Sequence, residues 1–290
     1  MGLFISQVIN GFVIGILYGL AALGFTMVYK ALGYLNFAHS DTIMLGAMVY
    51  CTLITGVGIP AAAAFFVTLA ILLLYGVVCE KVLFIRFRKT SAITFMLASM
   101  SLSTVVKNIA LKVFGALPRG LSIHYTDASF TVSGMRISCD NLVIFAIALF
   151  VLAILQMFFS KTKFGLAIRM AQEDPETAST LGVNVLTTRA ATFAISAGLG
   201  CVAGMLIGPI YSISTEIGAQ ISLKAFISAV VGGLGNFPGA IVGGILVGLT
   251  ESLSTTYISS SYKDVIVYIA GLVVLGFFPY GIFRRVKSKY

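Results

Sequence analysis

The residues of this chain that could do chemistry are few, and the densest group is the polar stretch from Glu173 to Gly182, Glu-Asp-Pro-Glu-Thr-Ala-Ser-Thr-Leu-Gly. Asp174 offers a side-chain oxygen to the free amides of a first helical turn, and Pro175 comes next with its ring already at helical φ. Glu173 and Glu176 complement the positive end of such a helix, and Gly182 suits the left-handed residue that stops it about two turns later. Ala178, Leu181 and Val183 give the element a small apolar surface. A helix this short is marginal alone, so the stretch predicts docking against a partner rather than a reaction.

Asn36 and Phe37, with His39 and Asp41, form a second group. A histidine ordinarily titrates near neutral pH, so His39 would suit a translocation gate. The same residues also read as a wet helix start at a membrane edge, the reading their place at the end of an apolar run favours. The third group is glycine-rich, Gly232-Gly-Leu-Gly-Asn-Phe-Pro-Gly239. It has no Lys after it and is not a nucleotide phosphate loop. The four cysteines, Cys51, Cys79, Cys139 and Cys201, neither cluster nor show C-x-x-C spacing, so no metal site and no disulfide is expected. No paired carboxylates and no Ser/His/Asp set lie within reach of one another in the apolar runs, so no catalytic residue is expected.

The elements that must position these groups are membrane spans. Of 290 residues, 59% are hydrophobic and 10% charged, against about 25% charged in an ordinary soluble domain. Lys and Arg fall between the apolar runs, as in membrane proteins, which excludes a nucleic-acid partner and implies a lipid one. Runs approaching the roughly 20 residues that cross about 30 Å of hydrocarbon occur at Phe4–Val28, Ala61–Cys79, Ala92–Val106, Leu142–Phe159, Ala190–Ile213, Ala225–Leu249 and Val265–Phe283. Leu35–Leu53 is a more polar candidate. The expected fold is all-α, a single polytopic domain over residues 1–290 with roughly eight membrane elements by this spacing. The first run is too long for a signal-peptide core and reads as a retained span.

Three stretches concentrate cations: Lys81, Arg86, Arg88 and Lys89; Lys161, Lys163, Arg169 and Arg189; and the tail with Arg284, Arg285, Lys287 and Lys289. All three are expected in the cytosol, with the loop 161–189 carrying the Asp174 element and the segment from Lys112 to Asn141 on the other side. Three apolar runs separate the second stretch from the tail, and an odd number of crossings cannot return the chain to the same side. Ala225–Leu249 is the run expected to break, into two half-helices that enter and leave on one face, because Pro238 and the four glycines of its middle, Gly232–Gly239, weaken a helix. The alternative is a span kinked near an interface. Broken backbone at membrane depth commonly lines a substrate path, which makes Gly235, Asn236, Phe237 and Pro238 path or gate candidates beside Asn36, Phe37 and His39. The recurring Asn-Phe pair hints at an internal repeat.

Small residues four apart, Gly11, Gly15 and Gly19 in one run, Ser196, Gly200, Gly204 and Gly208 in another, and Gly239 and Gly243 with Gly244 and Gly248 in a third, are expected to let helices approach, within the subunit or at a seam between subunits. The intervals Phe4–Tyr29, Ala61–Cys79, Ala92–Val106, Leu142–Phe159, Ala190–Thr215, Ala225–Thr250 and Val265–Phe283 hold no ionisable Asp, Glu, Lys, Arg or His. Ion-driven carriers keep such groups for coupling, so the driving energy is expected to enter from outside the spans.

Glu176-Thr-Ala-Ser-Thr-Leu-Gly182 resembles the E-A-A-x-x-x-G loop of ABC importer permeases, with Thr177 in place of the first Ala and no I-x-L-P portion downstream. Over nearly its whole length the chain resembles the high-affinity branched-chain amino acid permeases: in Gly15-Ile-Leu-Tyr-Gly-Leu-Ala-Ala-Leu-Gly24, in Leu35-Asn-Phe-Ala-His39, in Met44-Leu-Gly46, in the Arg169–Gly182 loop and in Gly232–Gly244. The resemblance implies a permease subunit whose Asp174, Pro175, Glu176, Ala178, Leu181 and Gly182 couple to an ATPase. It implies as partners a second related permease, two cytosolic ATPase subunits that bind ATP and Mg, and an extracytoplasmic amino-acid-binding protein, in a bacterial or archaeal cytoplasmic membrane. It implies leucine, isoleucine and valine as cargo, with urea, amides or other amino acids carried by relatives. An ATP-independent carrier or channel, and an assembly protein, are the other readings.

Overall fold

The computed structural model describes residues 2–87, 90–121, 129–132 and 135–283. Arg88, Lys89 and the tail cations Arg284, Arg285, Lys287 and Lys289 lie outside the described residues, as does part of the expected outer segment from Lys112 to Asn141. The described chain is helical apart from one antiparallel hairpin in that segment, β1 (Ser129–Val132) with β2 (Met135–Ser138), in the register Ser129 to Ser138.

The helices run α1 (Gly2–Leu32), α2 (His39–Thr55), α3 (Ala61–Val78), α4 (Ala92–Phe114), α5 (Cys139–Lys161), α6 (Lys163–Glu173), α7 (Pro175–Thr180), α8 (Val185–Ile207), α9 (Ile217–Gly232), α10 (Phe237–Tyr257) and α11 (Lys263–Phe277). Helix α3 continues through one π turn, Cys79–Leu83, and one 3-10 turn, Phe84–Phe87. Six helices, α1, α3, α4, α5, α8 and α10, are long and apolar enough to cross a membrane by length and composition. Three shorter ones, α2, α9 and α11, have 17, 16 and 15 residues.

Two helices form the centre. In the apolar windows of α1 and α8, 89% of residues are buried, against 11% in α4. With no hydrophobic drive between helices in lipid, their association depends on close approach. The tightest seam is α1 against α10, which run antiparallel: a Cβ at Gly15 would lie 2.7 Å from Ile245 Cα, and one at Gly248 would lie 2.4 Å from Gly15 Cα. Only glycine lets these backbones meet. Gly11 and Gly19 continue the same seam, facing Leu249 and Ile241. Gly200 and Gly204 receive Thr42 and Ile43 of α2, and Gly208 lies under the Ile213 side chain. These faces are all turned inward on the chain's own helices.

The break in Ala225–Leu249 lies at residues 233–236, but the two arms are not half-helices. Helix α9 begins eight residues before the expected run and α10 ends eight residues after it, so the arms span roughly 24 and 31 Å at 1.5 Å per residue. They fold back as a hairpin, with Gly232 on the Gly239 backbone and Ser228 on Gly243. The hydropathy run centred on the turn and missed both outer ends, where Lys224 and Glu251 interrupt it. Counted as two helices, α9 and α10 restore even parity: α8, α9, α10 and α11 alternate in direction. The α9–α10 turn meets the end of α11, where the Ile282 amide donates to Val231 O (2.8 Å) and Asn236 Nδ2 to Phe283 O (3.1 Å).

A second break lies between α1 and α2. After α1 the chain turns at Gly33, φ +77°, and runs non-helically back into the bundle. His39, the first residue of α2, reaches Ala21 O with Nε2 at 3.1 Å and meets the Phe25 ring at 4.5 Å. Those α1 residues lie 7 and 11 positions before Leu32, so α2 starts about 10 to 16 Å inside the end of α1. The expectation of a wet helix edge is therefore corrected: His39 and Asp41 are both buried. Both breaks read Gly-x-x-Asn-Phe, at Gly33–Phe37 and Gly233–Phe237. In each the glycine has positive φ and the Asn side chain caps the next turn of chain, Asn36 Oδ1 accepting from the Ala38 amide (3.1 Å) and Asn236 Oδ1 from the Gly239 amide (3.2 Å).

Candidate functional site

Residues 161–189 fold as a bracket at one end of the bundle. Thr162 caps α6, accepting from the Gly165 amide at 2.9 Å, and the α5–α6 reversal is so tight that a Cβ at Gly165 would meet Phe158 O at 2.3 Å. Helix α6, which hydropathy did not mark because it lies outside the long runs, is amphipathic: Ile168 and Ala171 are buried while Leu166 is exposed. Lys30 at the end of α1 reaches Glu173 at 3.5 Å. At the far side of the bracket, Arg189 of α8 reaches the buried Glu80 in the π turn at 3.4 Å. The first two cation-rich stretches thus share one end of the molecule.

Helix α7 is closed at both ends. Asp174 Oδ1 accepts from the amides of Glu176 and Thr177, each at 3.1 Å, and Oδ2 accepts from the Thr177 hydroxyl. The Thr177 hydroxyl, then its amide, hold the Asp174 carboxyl below the usual carboxylate range, because both bonds favour the ionised form. At the other end the Val183 amide donates to Ala178 O and the Gly182 amide to Ser179 O, each at 3.0 Å, with Gly182 at φ +83°. This double bond to the last turn is the Schellman arrangement, with Val183 over Ala178. Ala178 is 1% exposed and anchors the helix inward, whereas Leu181 is 65% exposed. Asp174, Pro175 and Glu176 are exposed beside it. The six coupling candidates therefore form one rigid knob, fixed by Ala178 and presenting Glu176 and Leu181.

The gate candidates separate into two places. His39 lies between α1 and α8, where its Nδ1 is 3.2 Å from Ser196 Oγ, with Asn36 buried beside it and Phe37 partly exposed, its amide donating to Ser99 Oγ (3.2 Å) on α4. Phe237 packs on Phe159 of α5 at 5.6 Å, under the Lys30 ammonium at 5.6 Å. Gly235 turns the hairpin at φ +87°, and Pro238 is exposed in the first turn of α10. The two breaks do not touch; α1 links them.

Sequence reasoning missed a buried charge network. Lys224 of α9 lies 2.6 Å from Glu251 of α10 and 2.8 Å from Asp264 of α11. Tyr18, in the middle of α1, donates to Glu251 Oε2 at 2.6 Å, Tyr211 donates to Oε1 at 3.3 Å, and Lys263 stands 3.7 Å away. The charge-free intervals stopped one residue short of Lys224, Glu251 and Asp264, so a charge-free bundle was expected where the helices carry an ion network. The signal available was spacing: an isolated Lys and an isolated Glu on the outer ends of two apolar runs joined by one turn.

Residues 7–275 match the family described as branched-chain amino acid transport system / permease component. The chain is 33% identical over 295 aligned positions to the high-affinity branched-chain amino acid transport system permease protein LivH of Salmonella typhimurium, covering 97% of this chain and 96% of that one. It is 32% identical, with the same coverage, to the permease protein BraD of Pseudomonas aeruginosa. It is 30% identical, over 91% of this chain and 87% of the relative, to a probable branched-chain amino acid transport permease protein of Methanocaldococcus jannaschii. The chain, a multi-pass membrane subunit of a multi-component transport system, belongs to the branched-chain amino acid transport system permease family.

Proposed function

We propose that this chain forms half of a translocation path for leucine, isoleucine and valine, completed by a second related permease and fed by an extracytoplasmic amino-acid-binding protein. The path lies in a bacterial or archaeal cytoplasmic membrane, with the α7 end in the cytosol by its excess of Lys and Arg. Two cytosolic ATPase subunits bind ATP and Mg, and this chain binds no cofactor of its own. The observation that carries the reading is the knob at α7, a helix capped at both ends, anchored by Ala178 and exposing Leu181 and Glu176. A helix this short gains its rigidity from its caps and suits transmitting displacement rather than binding a small molecule.

ATP-driven closure of the ATPases displaces α7, and with it the start of α8. The Gly33–Phe37 and Gly233–Phe237 breaks are then the places where α2 and the α9–α10 hairpin re-orient, with Asn36, Phe37, His39, Gly235, Asn236, Phe237 and Pro238 as path or gate residues. Nucleotide shifts this equilibrium only through its different affinity for the two states.

Proteoliposomes holding this chain, the second permease and the ATPases, supplied with ATP and binding protein, are expected to accumulate labelled leucine, valine and isoleucine. Uptake by this chain alone under an ion gradient would establish the ATP-independent carrier instead. Uptake of urea or short amides in place of the three amino acids would move the cargo assignment and leave the ATP-driven architecture standing.

A further inference from the structure

A trench of about 1030 Å³ lies between α3 and α5, floored by α8. Its floor runs from Ala191 to Leu206, a helical length of roughly 22 Å, long enough for a whole acyl chain. Among its lining residues only Tyr50 carries a hydroxyl. The α6 end of the trench is lined by Phe158 and Phe164, whose rings stand edge to face at 6.4 Å. Lys161 and Lys163 flank that end in sequence, and Lys161 lies one helical turn from Phe158, on its side of α5. Both lysines are exposed, and no carboxylate among the described residues pairs with either.

We propose that this trench is a binding site for an anionic phospholipid, with an acyl chain along the α8 floor and the phosphate at Lys161 and Lys163. The charge at that end favours a lipid over a partner's helix: an apolar helix would fill the trench and offer the two ammonium groups no counter-charge, which an anionic headgroup supplies. Basic residues at a membrane interface beside an inter-helical pocket are the chemistry that selects anionic headgroups. The site also joins α5 to the bracket through the tight Thr162–Gly165 reversal, so an occupied trench steadies the base of α6.

The test is native mass spectrometry of the full-length chain, titrated with phosphatidylglycerol and with phosphatidylcholine of the same acyl chains. Phosphatidylglycerol is expected to bind more tightly, and Lys161→Ala and Lys163→Ala to weaken it roughly fivefold each while leaving phosphatidylcholine unchanged. Ala194→Phe, which fills the floor, is expected to reduce both lipids. Equal binding of the two lipids, indifferent to the lysines, overturns the proposal. So does a photo-crosslinker at Phe150 that captures the second permease, with no lipid retained in the assembled complex.

Discussion

At Gly182 the backbone stands at φ +83°, where an L side chain strains against its own carbonyl by about 1–2 kcal/mol. Gly182→Val is therefore expected to loosen the end of α7 and lower amino acid uptake per ATP hydrolysed several-fold, whereas Gly182→Asn, a residue that tolerates the left-handed region, is expected to keep most of it. Coupled uptake and phosphate release in the same vesicles measure that ratio. Asp174 gives a pH signature at the other end of the helix. Its carboxyl is held below the usual range by Thr177, so its capping contribution is fully present above the ordinary Asp value and is lost as pH falls through the lowered one. Amide exchange at Glu176 and Thr177, corrected for its intrinsic pH dependence, is expected to stay protected down to about pH 4 and to rise below it. In Asp174→Asn the step should vanish.

Among the elements, the α1–α10 seam and the α9–α11 charge network hold the bundle by different means, and each has its own test. Gly15→Leu places a side chain where Ile245 Cα already stands at Cβ distance 2.7 Å. Overpacking of this kind usually costs about 1–3 kcal/mol, so a clear fall in melting temperature in detergent is expected. Lys224→Met leaves Glu251 buried without its closest cation and is expected to cost about 3–5 kcal/mol, while Lys224→Met combined with Glu251→Leu is expected to lose less than either single change. A double variant less stable than both single ones would show that the pair is not the unit. The elements were legible unevenly. Asp174, Pro175 and Gly182 marked both ends of α7, because capping chemistry is local and needs no knowledge of neighbours. The α9–α10 turn was legible for the same reason, from Gly and Pro. The lengths of its arms were not, since a buried Lys–Glu pair reads in sequence as the end of an apolar run. His39 read as an edge residue because α2 starts inside the bundle, a tertiary fact that hydropathy along the chain does not carry.

For the whole molecule, the arrangement places a rigid exposed knob at one end and an ion network near the start of α11, joined through α1 and α8, whose apolar windows are the most buried of the six long apolar helices. The lipid trench and the two Gly-x-x-Asn-Phe breaks lie along that route. The proposed coupling requires contact between α7 and an ATPase subunit. A photo-crosslinking residue at Leu181, in the complex assembled from this chain, its companion permease and the ATPases, reports on that contact. An adduct with an ATPase subunit at Leu181, weaker when ATP is withheld, is the expected result. No ATPase adduct at Leu181, while the same probe on the opposite end at Tyr257 captures one, would exclude α7 as the coupling contact.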